Sequence, residues 1–113
     1  MGKCILGGHP PVGGQIGYGT YTGNGAASQF ISLGVTPKWV LVLEDGYATG
    51  IWNVSGLMAI AGGLAISGKP ASAPSYGTSV SIASNGFQVY YDTQNYRVQA
   101  NTSSTSYSYI YGT

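Results

Sequence analysis

The sequence predicts an all-β chain, folded as an antiparallel β-sandwich of about six to eight short strands. Three observations lead there. Segments alternating apolar and polar side chains recur with turn signals about every 8 to 12 residues. From Gln15 onward there are strands and turns and almost no helix. Gly, Tyr, Ser and Thr also fill the chain in place of ions: 19 residues are Gly, 10 are Tyr and only 6% are charged.

The elements follow in order. Residues 1–14 read as a linker or shaft junction, because Gly7, Gly8, Pro10, Pro11, Gly13 and Gly14 oppose any regular element. Residues 15–113 read as one sandwich domain. Gln15 to Thr22 alternates, with Ile16 and Tyr18 on one face. Gly23-Asn24-Gly25 is a turn, since Gly and Asn tolerate positive φ. Ser28 to Leu33 alternates again, and Pro37 marks the start of the next strand. In Lys38 to Glu44, Trp39, Leu41 and Leu43 share one face, and Val40 and Val42 the other. A strand apolar on both sides is covered on both sides. Loops or a neighbouring subunit must supply the second cover.

Glu44 to Gly50 is a polar loop and Ile51 to Val54 a short strand. The apolar stretch Leu57 to Ile66 reads as a strand pair around Gly62-Gly63 or as one bulged strand, buried in the core or a subunit interface. Gly68 to Gly77 is a loop. Ser79 to Asp92 is a hairpin about Asn85-Gly86, which sets Ile82 opposite Val89 and Val80 opposite Tyr91. Tyr96 to Ala100 is a strand. Thr105 to Tyr111 closes the chain, with Tyr107, Tyr109 and Tyr111 on one face, in the core or an interface.

Charge and chemistry narrow the function. The net charge is +1 and the basic residues Lys3, Lys38, Lys69 and Arg97 are scattered, so nucleic acid is not an expected ligand. No apolar run is long enough for a membrane helix, and membrane insertion is not expected. Leu6 stands where an N-myristoylation signal needs Ser or Thr. One cysteine, Cys4, excludes an intramolecular disulfide, and with His9 it is too little for a His/Cys metal site. A calcium site at Glu44 and Asp45 competes with a solvated turn. Glycoside hydrolysis needs two facing carboxylates, which only Asp92 with Glu44 or Asp45 supplies. The expectation is no enzyme, no cofactor and no metal.

A sugar site needs less: an aromatic ring to stack on a pyranose and a few planar polar groups to fix its hydroxyls. Two clusters qualify. Asp45, Tyr47, Trp52 and Asn53 form one. Asp92, Gln94, Asn95, Tyr96 and Arg97 form the other. The ligand-binding candidates are Asp45, Tyr47, Trp52, Asn53, Asp92, Tyr96 and Arg97. Against this, Arg97 pairing with Asp92 to hold a turn is the simpler reading of those two, and core packing that of Trp52.

The ordered set Tyr21-Thr22-Gly23-Asn24-Gly25, Ile31 through Val40, Gly86-Phe87-Gln88-Val89, Asn101 and Tyr107-Ser108-Tyr109-Ile110 resembles the C-terminal β-sandwich domains of phage and prophage tail fibre proteins. More distantly it is similar to the trimeric H-type lectins. Val35 departs from that pattern where an aromatic is expected, and Tyr111 where a small residue is expected. The resemblance implies a homotrimer joined through its N-terminal side to a fibre shaft. It also implies adhesion to a host cell-surface glycan, from a virion tail fibre acting outside the cell. The rival readings are a structural virion or fibre decoration protein with no ligand, and a surface-polysaccharide hydrolase.

Overall fold

The computed structural model describes residues 14–45, 51–54 and 57–113, with side chains for 14–45 and 58–113. The predicted linker therefore lies, but for Gly14, outside the described residues. The fold is an all-β sandwich. Ten strands are present among the described residues: β1 (Ile16–Thr22), β2 (Ser28–Ser32), β3 (Trp39–Glu44), β4 (Ile51–Val54), β5 (Leu57–Ile60), β6 (Gly63–Ile66), β7 (Ala71–Ala73), β8 (Gly77–Ala83), β9 (Gly86–Tyr90) and β10 (Ser106–Gly112). The first sheet has the order β1-β10-β3-β6 and the second β2-β9-β8-β7; β4 and β5 form a separate hairpin. Every strand pair is antiparallel.

The core lies where the two four-stranded sheets face each other. Val40, Val42, Ala65 and Tyr107 come from the first sheet and Ala71, Val80, Phe87 and Val89 from the second, all buried. Aromatic rings fill the core: Tyr109 of the first sheet meets Phe87 of the second edge-on at 5.1 Å, and within the first sheet Tyr21 stacks on its cross-strand partner Tyr107 at 4.8 Å. Tyr109 and Tyr111 pack against this core, so the closing tyrosines are core side chains. They also roof the glycines of β1. A Cβ on Gly17 would lie 2.5 Å from the Tyr111 ring, and one on Gly19 2.5 Å from the Tyr109 hydroxyl.

The structure corrects four local expectations. First, Leu57 to Ile66 is neither a hairpin about Gly62-Gly63 nor one bulged strand: β5 pairs with β4, while β6 crosses to β3. Gly62 makes the crossing at φ +141°, packed so tightly that a Cβ would meet the Val42 carbonyl at 2.1 Å. The stretch is also not wholly buried. Its alanines Ala59, Ala61 and Ala65 face inward, while Met58, Leu64 and Ile66 are exposed.

Second, the hairpin turns on Ser84-Asn85, so Ile82 pairs with Phe87 and Val80 with Val89. Asn85 takes the positive φ of +67°. Gly86 is needed inside the sheet, where a Cβ would strike the Ile31 carbonyl at 2.1 Å. The slip is two residues, so the buried face of Val80, Phe87 and Val89 survives. Third, Tyr96 to Ala100 is no strand. Tyr96 sits at φ +58°, and only isolated bridges form, Val98 to Ile60 and Gln99 to Tyr91. Fourth, the loop Gly68 to Gly77 contains β7, which pairs with β8.

Candidate functional site

The two outer faces of the sandwich differ. On the second sheet the outward row is Phe30, Gln88 and Ser81, with the Ser81 and Tyr90 hydroxyls hydrogen-bonded at 2.8 Å. The first sheet carries an apolar outer face. Across its four strands Tyr18, Ile110, Leu41 and Leu64 stand in one row, and Ile16, Gly112, Trp39 and Ile66 in the next. The Trp39 ring covers Gly112, where a Cβ would lie 2.2 Å from its indole nitrogen. Tyr18 is 84% exposed and Ile16 69%, and Leu64, Ile66 and Ile110 are exposed too. Trp39, Leu41 and Leu43 on the second face of their strand are half-buried, and among the described residues the flanking side chains of this face remain open to solvent. A shallow groove of about 140 Å³ runs along it, bordered by Leu41, Leu43, Ser108 and Ile110.

Asp45 sits at one edge of this face. The hydroxyls of Ser106 and Ser108 donate to its two carboxylate oxygens at 2.7 Å each. Those bonds hold the Asp45 carboxyl below its usual range, while partial burial, with Asp45 alongside, pushes Glu44 up. Among the described residues no group of three His, Cys, Asp or Glu side chains could hold a metal ion.

The second cluster lies elsewhere. Gln15 and Thr113 are hydrogen-bonded to each other at one end of the sandwich. At the opposite end β1 gives way to β2 and the segment 91–105 folds over the sheets. The side chain of Asn101, fully buried, anchors that end by donating to Asn24 Oδ1 and the Ala26 carbonyl and accepting from the Gln29 amide. Tyr21 donates to the Ala100 carbonyl and Tyr107 to the Gln99 carbonyl, both at 2.6 Å.

From this anchored segment the loop Asp92 to Arg97 projects. Asp92 organises it: Oδ1 accepts the backbone N–H groups of Gln94 and Asn95 at 3.0 Å each, and Oδ2 that of Arg97 at 3.3 Å. These bonds pull its carboxyl below the usual range, with the Arg97 charge contributing least. The Asp92 side chain therefore does hold a turn, but through backbone amides. The Arg97 guanidinium goes elsewhere. It donates to the Ser75 carbonyl at 3.2 Å and lies 5.7 Å over the Tyr76 ring. The exposed Tyr96 ring stands beside Tyr91 at 6.2 Å.

Of the other candidates, Tyr47 lies outside the described residues. Trp52 and Asn53 are placed by backbone alone, paired with Ala59 and Met58 in the β4–β5 hairpin. That hairpin is stitched to the Arg97 loop: Ile60 N–H donates to the Arg97 carbonyl at 3.0 Å, and Gln99 N–H to the Ile60 carbonyl at 2.8 Å. The structure thus brings Tyr96, Arg97 and Asp92 together, sets the strand bearing Trp52 and Asn53 in a hairpin joined to the same segment, and leaves the Asp45 carboxylate engaged with Ser106 and Ser108. Sequence reasoning missed Ser75 and Tyr76, whose turn is more than twenty residues from Arg97. Its only local mark is the run Pro74-Ser75-Tyr76-Gly77.

The fold and its loops define a two-layer antiparallel sandwich with an aromatic and arginine cluster at one end. No protein-family model, no curated protein and no solved structure matches the chain.

Proposed function

We propose that this chain is a non-catalytic adhesion module of the kind that tips a phage-type tail fibre, binding host cell-surface carbohydrate as a homotrimer joined to a fibre shaft. The observation that carries this reading is the position of Tyr76, Tyr96 and Arg97. They gather at the end of the sandwich remote from Gln15 and Thr113. A shaft approaching through the N-terminal side leaves that end free for a receptor.

The outer face of the first sheet supplies the case for self-association. It presents Ile16, Tyr18, Leu64, Ile66 and Ile110 to water in a chain with few ions to keep it dispersed. A second and third copy are the fitting cover, because the two rows across the middle of the face are apolar and carry no charge. Individual sugar contacts are weak, and three sites on one axis convert weak contacts into useful adhesion. Chemistry favours binding over hydrolysis too. Asp45 and Asp92 are each tied into local structure by donors that keep them ionised. Glu44 is the one carboxyl pushed up, but the carboxylate beside it, Asp45, is engaged by the Ser106 and Ser108 hydroxyls and is not a free partner for glycoside cleavage.

Sedimentation equilibrium of the intact protein tests the assembly, with an expected mass three times 11.6 kDa. Binding of that oligomer to a glycan array or to whole bacterial cells tests the adhesion. A stable monomer refutes the first part; an oligomer that binds no glycan and no cell refutes the second and leaves a structural fibre component.

A further inference from the structure

We infer that the Arg97 loop is a subsite for a carboxylated saccharide, with the guanidinium gripping the carboxylate and Tyr96 stacking on the sugar ring. This deepens the adhesion reading and rests on it. The argument begins with the acids. The chain has three, Glu44, Asp45 and Asp92, and all lie among the described residues. Asp45 is occupied by two serine hydroxyls and Asp92 by three backbone N–H groups. No carboxylate among the described residues accepts a hydrogen bond from the Arg97 guanidinium.

An arginine with no partner usually sweeps through solvent. Arg97 has two contacts that orient it: Nη1 donates to the Ser75 carbonyl at 3.2 Å, and Cζ lies 5.7 Å over the centre of the Tyr76 ring. A guanidinium has five N–H donors in a rigid fork. One is spent here, and the fork geometry matches a planar carboxylate through two parallel bonds. Asp92 keeps its negative charge beside it, but its carboxylate is open to solvent, and water screens its repulsion of an incoming anion. Tyr96, exposed at the loop tip and held at φ +58°, supplies an aromatic surface one residue away. A neutral sugar would use the ring and leave the charge idle; a uronic or sialic acid uses both.

The test is binding of the intact oligomer to immobilised galacturonate, glucuronate and N-acetylneuraminate glycans, each beside its carboxyl-reduced counterpart. Wild type is expected to bind at least one acid form about tenfold or more tighter than its reduced form. Arg97→Lys, which keeps the charge but loses the fork, should lose about tenfold on the acid form and little on the reduced form. Tyr96→Asn removes the ring at a position that tolerates positive φ and should weaken both forms. Melting temperatures of the variants, unchanged for an exposed side chain, show that the fold is intact. Equal binding of acid and reduced forms, or Arg97→Lys binding like wild type, overturns the carboxylate subsite while adhesion stands. Binding to none of these glycans overturns the subsite, and if the oligomer also binds no whole bacterial cell the adhesion reading falls with it.

Discussion

Replacing Tyr107 by Phe tests how the loop-bearing end is held. The ring is wholly buried and stacks on Tyr21 with 8° between planes, so Phe keeps shape and volume. Only the hydroxyl goes, and it has two tasks: it donates to the Gln99 carbonyl at 2.6 Å and accepts the Thr102 N–H at 3.0 Å. A buried backbone group left without a partner costs about 1–3 kcal/mol. A carbonyl with a second lone pair falls at the low end and an orphaned N–H higher, so the pair is worth about 2–4 kcal/mol. For a domain of this size each kcal/mol moves Tm by roughly 5 °C, giving a fall of about 10–20 °C. Tyr21→Phe is the internal control, since its hydroxyl donates one hydrogen bond, to the Ala100 carbonyl, and should cost about 1–2 kcal/mol. Thermal and urea melts followed by circular dichroism measure both. If Tyr107→Phe melts within 2 °C of wild type, or Tyr21→Phe proves the more damaging, the hydroxyl is not the anchor described.

Further outcomes follow from the same geometry. Leu41→Lys with Leu64→Glu places two charges in one row of the apolar outer face and should leave a folded monomer at micromolar concentration by sedimentation. A trimer that persists would place the interface elsewhere. Gly62→Ala forces a Cβ onto the Val42 carbonyl at an unfavourable φ and should cost about 3 kcal/mol or more in urea denaturation. Burial pushes the Tyr21 phenol far above its ordinary value, with Tyr107 and Glu44 adding to the rise. A folded pKa above the unfolded one gives stability that is complete below about pH 10 and is lost as pH rises beyond it. Tyr21→Phe should therefore flatten the alkaline limb of the stability curve between pH 9 and about 11, read as Tm against pH.

Much of the fold was legible because alternation and strand length coincide. The Trp39 strand shows its two faces in sequence, and Val40 and Val42 are indeed buried while Trp39, Leu41 and Leu43 are half-buried. The hairpin register was not legible. Asn85-Gly86 is the favoured turn pair, but Gly86 is taken into the sheet between Ala83 and Ser32, where a Cβ would strike Ile31 and Phe30 of a strand more than fifty residues earlier, and the turn falls one residue back. The Leu57 to Ile66 crossing was hidden for a similar reason: local pattern records apolar alternation but not which sheet each half joins. At the site, Tyr96 and Arg97 could be picked out by residue chemistry. The Arg97 contact with Ser75 and Tyr76 arises from tertiary folding alone. Equally, nothing in sequence shows that Asp92 spends its oxygens on main-chain amides rather than on the arginine.

That choice by Asp92 has an evolutionary corollary. The loop's curvature is written in peptide N–H groups, which every residue except proline possesses. Thr93, Gln94 and Asn95 are exposed and no side-chain bond from them is needed to keep the bend. Their identities are therefore free to drift, and single substitutions there change the surface this end presents while the scaffold stays untouched.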